Sequence, residues 1–190
     1  MHSDWIQFIL GIVVLILYLI FSAKTEMGTK LFMEQNSNRP NNYLAEIYNF
    51  LPISEHLATS GQPSIEQLQS IADSGYEVVI NLALPTSDGA ISNEVEIVQS
   101  LGMEYIAIPV IWENPTKSDL DRFLQAIDKR KSQKIFVHCA KNMRVSAFVY
   151  LYRRLSLNCE DEAIADLHKI WQPNEIWQKF IDSNDKKLTA

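Results

Sequence analysis

Apolar and polar positions divide the chain into three stretches. The first, Trp5 to Ala23 ("WIQFILGIVVLILYLIFSA"), carries no charged residue. As a helix its 19 residues span roughly 28 Å at about 1.5 Å per residue, close to one hydrocarbon core. Asp4 precedes it and Lys24 and Lys30 follow, so the positive-inside rule puts the C-terminal side in the cytoplasm. A cleaved signal peptide wants a basic start, which "MHSD" lacks, while Met27 and Met33 offer starts for a soluble version. From Lys24 to Asn42 the sequence is polar and mixed and reads as a tether. From Tyr43 the pattern turns globular. The expected organisation is a single-pass membrane anchor over residues 1–23, a linker over 24–42 and one domain over 43–185.

Within that domain the pattern alternates between strand and helix. "GQPSIEQLQSIADSGY" predicts a helix with a Ser64–Gln67 capping box and Gly75 at its end. "EVVINLAL" (residues 77–84) is an apolar run of strand length closed by Pro85. "SNEVEIVQSLG" predicts a helix capped by Ser92 or Asn93 and ended by Gly102, and "MEYIAIPV" a second strand. "NPTKSDLDRFLQAIDKRK" predicts a third helix, capped by Thr116 or Ser118, with basic residues in its last turn. "KIFVHC" reads as a strand and "RVSAFVYLYRRL" as a strongly apolar, hence central, helix. Helices over about 160–170 and 174–183 follow. The fold class is α/β, with a mainly parallel central sheet flanked by helices. Ligands bind such sheets beyond the carboxyl ends of the strands, and Cys139 falls at one such end.

Bulk properties narrow the chemistry. The 190 residues, 47% hydrophobic, suffice for one domain with a proper core. A net charge of −6 argues against a broad nucleic-acid footprint. Two cysteines, Cys139 and Cys159, with no CxxC and no His-x-x-x-His give a disulfide framework or a metal site nothing to build on. No cofactor is expected. Two thiols suit a reducing compartment.

The stretch "KIFVHCAKNMRVSAFVYLYRRL" carries the chemistry. A strand that gives way to a helix through a short loop aims several backbone N–H groups at one point, and the helix dipole adds positive charge there. A tetrahedral oxyanion fits such a nest, and the same field favours the thiolate of a cysteine at its floor. Arg144, in the first helical turn, can grip two anion oxygens with its planar fork. Ala140, Lys141, Asn142 and Met143 supply the loop. Together these groups suit phosphoryl transfer through sulfur.

"VHCAKNMRVS" resembles the signature loop of cysteine-dependent protein tyrosine and dual-specificity phosphatases, and the strand–helix order over residues 43 to 170 is similar to theirs. The common signature places five residues between Cys and Arg, with glycine third after Cys. Here there are four, and Asn142 stands at the glycine position. The shorter spacing resembles the phosphatase-like domain of bacterial beta-lactamase-hydrolase-like proteins, whose "SGQP" segment is matched by Ser60-Gly61-Gln62-Pro63. Asn tolerates positive φ better than other non-glycine residues, so Asn142 can make the same turn. Val145 stands where the family's hydroxyl residue follows Arg. Counted from Cys139, Ser146 keeps the hydroxyl's place, and the arginine has moved about 100° around the helix. The resemblance implies Cys139 as nucleophile, Arg144 and Ser146 at the phosphate, and His138 as a support of the loop.

A leaving oxygen also needs a proton, which the family commonly takes from an Asp roughly thirty residues upstream. Glu113, 26 residues before Cys139 in a loop stiffened by Pro115, is the expected general acid. Asp119 is second, though it also reads as a first-turn residue of the third helix. The expected function is a metal-free phosphomonoester hydrolase acting through cysteinyl-phosphate on a phosphorylated protein, small molecule or lipid. Two other readings fit the loop: a rhodanese-like sulfurtransferase, whose six-residue loop also begins with Cys, and a non-catalytic phosphate-binding pseudophosphatase.

Overall fold

The computed structural model describes residues 43–157 and 159–185. The expected anchor and linker, residues 1–23 and 24–42, lie outside the described residues. Among the described residues no helix is long and apolar enough to cross a membrane.

Five strands form one sheet: β1 (Leu51–Ser54), β2 (Leu57–Ser60), β3 (Val78–Asn81), β4 (Glu104–Ala107) and β5 (Ile135–His138), in the order β1-β2-β5-β3-β4. β1 pairs antiparallel with β2, and every other pairing is parallel. The helices are α1 (Ile65–Asp73), α2 (Glu94–Ser100), α3 (Lys117–Asp128), α4 (Met143–Tyr152), α5 (Glu160–Ile170) and α6 (Glu175–Asn184), with a π-helical turn over Arg153–Leu157. The β1–β2 hairpin is the part that the periodicity did not reveal. Its strands have four residues each, and Pro52 weakens the strand signal, a residue tolerated here because β1 is an edge.

Side chains alternate across the central strands, so each face has its own core. Val78, Ile80, Ile135 and Val137 join Leu120, Phe123 and Phe148 on one face. Val79 and Phe136 join Leu68, Ile71 and Val98 on the other. Both layers of helix are therefore held by burial, at about 1.5–3 kcal/mol for each fully buried large side chain. α4 is buried from Arg144 to Leu151, as its apolar composition requires.

Local signals behave as the sequence reads. The Ser64–Gln67 capping box closes with bonds in both directions, and Thr116 forms a second one with Asp119. Gly75 and Gly102 both take φ +80 after their helices. Asn93 precedes α2 but makes no side-chain cap bond. The basic cluster expected in the last turn of the third helix lies beyond it: α3 stops at Asp128, and the Arg130 Nε donates to Glu104 at 2.7 Å.

Register sets the stage for the site. His138 stands level with Ser60 on one side and Asn81 on the other, and Asn81 with Ala107. Four parallel strands thus end at one edge, and the loops that follow them rise together.

Candidate active site

Cys139 follows the last residue of the central strand and is 1% exposed. Its N–H donates to the Ser60 carbonyl at 3.3 Å, and the Leu82 N–H donates to the His138 carbonyl at 2.9 Å, so neighbouring strands still hold the chain there. The Gln62 N–H then donates to the Ala140 carbonyl at 3.1 Å, and Gly61 bridges Lys141. A Cβ at Gly61 would lie 2.8 Å from Tyr48 Cδ1 and 2.9 Å from the Ala140 oxygen. The glycine of "SGQP" is there because the backbone of the cysteine loop passes too close for any side chain.

Asn142 takes φ 63 and caps α4 from the left-handed region, the turn expected of it in place of glycine. Its amide donates to the Asn49 carbonyl at 2.7 Å and to Thr59 Oγ1 at 3.0 Å. Asn49, itself at φ 51, returns a bond from its own amide to the Lys141 carbonyl at 3.0 Å. The two asparagines clasp the loop from behind.

In front of the loop lies a cavity of about 390 Å³. Cys139, Ala140, Lys141, Met143 and Arg144 line one side; Thr86, Ser87 and Asp88, after β3, face them, and Trp112, after β4, forms a wall. The arginine's shortened tether still reaches this space. Arg144 Nη1 donates to the Leu82 carbonyl and Nη2 to Ser87 Oγ, each at 3.3 Å, while Nε is buried without a hydrogen-bond partner. Arg144 is 8% exposed, and no carboxylate pairs with it among the described residues. A buried cation held only by neutral oxygens is costly unless an anion completes it.

Ser146 and the Asn142 side chain do not line this cavity. The Ser146 hydroxyl donates to the Met143 carbonyl at 2.9 Å and accepts from Trp171 Nε1 at 3.1 Å, joining α4 to the end of α5. Glu113 is exposed on the turn after β4, while its neighbour Trp112 faces the cavity. Trp112 is clamped: its ring centroid lies 5.3 Å from that of Trp171 and 5.2 Å from that of Trp177, and its carbonyl accepts Trp177 Nε1 at 3.0 Å. Asp119 is occupied with Thr116 and Arg122 at the start of α3.

Behind the loop sits a polar cluster that the sequence reading did not anticipate. Glu94, the first residue of α2, is 3% exposed. Its Oε1 accepts from Gln62 Nε2 at 2.5 Å, and its Oε2 accepts from Asn81 Nδ2 and the Tyr105 hydroxyl, each at 2.7 Å. His138 Nε2 lies 3.6 Å from Oε1, and neither ring nitrogen has a hydrogen-bond partner. Burial holds the His138 imidazole below its ordinary range, and the Glu94 charge pulls it partway back. Burial, then the bond to Glu94, pushes the Tyr105 hydroxyl well up. A signal for Glu94 existed: it lies four residues before the buried Val98, on the inward face of α2. Asp88 was equally within reach, since the rule that singled out Cys139 applies to the turn after β3 as well. Among the described residues no cluster of three or more His, Cys, Asp or Glu side chains could hold a metal ion.

A cysteine loop opening a helix at the carboxyl end of the central strand, with an arginine beside the cysteine on the same cavity, is the arrangement of a dual-specificity or tyrosine phosphatase-like fold. The chain belongs to the family described as DSP-PTPase phosphatase fused to NAD+ kinase, whose model matches residues 52–181. Curated relatives are beta-lactamase hydrolase-like proteins from two Xylella fastidiosa strains, 33% identical over 98 residues. That match covers 48% of this chain and 22% of the relatives, so the chain spans about a fifth of their length. Among solved structures, a candidate phosphatase (DUF442) from Shewanella putrefaciens CN-32 has TM-score 0.70 and 31% identity, over 76% of this chain and 95% of that one. The PP-IP phosphatase SIW14 core from S. cerevisiae, in complex with citrate, has TM-score 0.62 at 15% identity, over 73% and 86%. PTPMT1 in complex with PI(5)P has TM-score 0.61 at 16% identity, over 72% and 94%. At those identities the last two speak for the fold alone.

Proposed function

We propose that this domain is a phosphomonoester hydrolase acting through a cysteinyl-phosphate intermediate. The observation that carries the reading is the Arg144 guanidinium: buried, unpaired with any carboxylate among the described residues, and lining one cavity with Cys139. The Cys139 sulfur attacks phosphorus as the ester P–O bond breaks and the leaving oxygen takes a proton. Water then attacks phosphorus, the S–P bond breaks, and the thiolate returns. Arg144 holds two non-bridging oxygens, and the loop amides from Ala140 to Met143 face the rest. His138 supports the loop from the strand side. Glu113, the proton donor expected from the sequence, is exposed and does not line the cavity.

The substrate is a phosphorylated protein, small molecule or lipid. We further propose that residues 1–23 anchor the chain, 24–42 tether it and 43–185 form the catalytic unit at the cytoplasmic face. Washing membranes with high salt checks the anchor: the chain should stay in the pellet, and release would remove that part.

The test of the reaction is hydrolysis of an aryl phosphate by the purified full chain with a chelator present. Turnover should be blocked by vanadate and fall to background in Cys139→Ser. Cyanide-dependent thiocyanate production from thiosulfate would favour sulfur transfer instead. Phosphate binding with neither activity would leave a pseudophosphatase.

A further inference from the structure

We infer that Asp88, on the turn after β3, is the group that protonates the leaving oxygen and then takes a proton from the attacking water. The inference rests on the reaction proposed above.

The direction of displacement decides where such a group must stand. Cys139 is 1% exposed and lies at the floor of the cavity. In-line attack puts the leaving oxygen opposite the sulfur, toward the mouth. A proton donor therefore belongs at the rim, and it must be a carboxyl group that faces the cavity. Asp88 is the carboxylic acid among the residues that line it, and it is exposed.

The turn that carries Asp88 is fixed to the arginine. The Ser87 N–H donates to the Leu84 carbonyl at 2.9 Å, the Ala90 N–H to the Ser87 carbonyl at 3.0 Å, and the Leu84 N–H to Ser87 Oγ at 3.1 Å. That same Oγ accepts from Arg144 Nη2. Asp88 is thus one residue from an atom the guanidinium touches, and Gly89, at φ +74, lets the chain turn back immediately after it. A phosphoryl group gripped by Arg144 would bring its leaving oxygen to the same turn.

The other acids are placed for other work. Glu94 lies behind the loop, is spent on Gln62, Asn81 and Tyr105, and does not line the cavity. Glu113 is exposed and does not line the cavity; its neighbour Trp112 does, with ring and carbonyl both held by Trp177. The proton balance is then simple. Asp88 as the acid gives its proton to the departing alkoxide or phenoxide, and its carboxylate accepts one from water in the second step, restoring the starting state.

The experiment compares Asp88→Asn with Glu113→Gln on p-nitrophenyl phosphate, whose leaving group hardly needs a proton, and on phenyl phosphate, whose leaving group does. Asp88→Asn should lower kcat/KM for phenyl phosphate by about 10²–10⁴-fold, lower that for the nitro compound much less, and abolish the basic limb of the pH profile. Its melting temperature should stay at the wild-type value, because the side chain is exposed. Glu113→Gln should stay within about twofold on both esters. An active, Cys139-dependent enzyme in which Asp88→Asn keeps the basic limb, or in which Glu113→Gln removes it, overturns the inference alone. A wild-type chain without Cys139-dependent turnover overturns the phosphatase reading, and this inference with it.

Discussion

His138 stands directly before Cys139 with no exposed surface and no hydrogen bond to either ring nitrogen. Its pKa is depressed from 6.5, by burial first and against the pull of Glu94. Below about pH 6.5 the unfolded chain then binds more protons than the folded one. Stability is full above that pH and declines as pH falls toward the folded value. Urea unfolding midpoints from pH 7.5 to 5 should show that decline in the wild type and a flatter profile in His138→Gln. Glu94→Gln removes the charge that favours the imidazolium and should steepen it. At this scale the sequence was readable where one residue's own chemistry decides, as with Asn142 and its positive φ. It was opaque where the neighbours decide. Ser146 kept the family's place in the string, but Trp171, from a distant helix end, takes up its hydroxyl.

The loops after β2, β3, β4 and β5 make the site as a set, and the first of them explains a motif. Gly61 has ordinary backbone geometry but no room. Gly61→Ala would push a methyl group against the Ala140 carbonyl, so the cysteine loop must shift or Tyr48 must give way. The cost should be about 1–3 kcal/mol in urea unfolding, with kcat/KM falling more than the fraction unfolded accounts for. Cα–H alone fits there. The helices and three parallel strands were visible because their apolar periods are long or strong. The hairpin was not, since four-residue strands beside a proline leave too little pattern to detect. The turn after β3 was passed over for a related reason: "PTSDG" carries ordinary turn chemistry, and its value comes only from the strand order that sets it opposite Cys139.

At the level of the whole domain, the C-terminal helices serve the site without touching the cavity. Trp177, fully buried, bonds the Trp112 carbonyl, and Trp171 bonds Ser146 in α4. The tail of the chain therefore fixes one wall of the cavity and one face of the helix that bears Arg144. Alternation of strands and helices announced a parallel sheet, yet not the order β1-β2-β5-β3-β4, because pairing partners far apart in sequence leave no local trace. The lone guanidinium at the centre has a thermodynamic corollary. An oxyanion that neutralises Arg144 binds the native state alone, so folding and occupancy are linked: inorganic phosphate at a hundredfold its dissociation constant adds about 2.7 kcal/mol. Melting curves recorded against rising phosphate should climb for the native sequence and stay level for Arg144→Gln, which makes the domain's own heat resistance a gauge of the anion it holds.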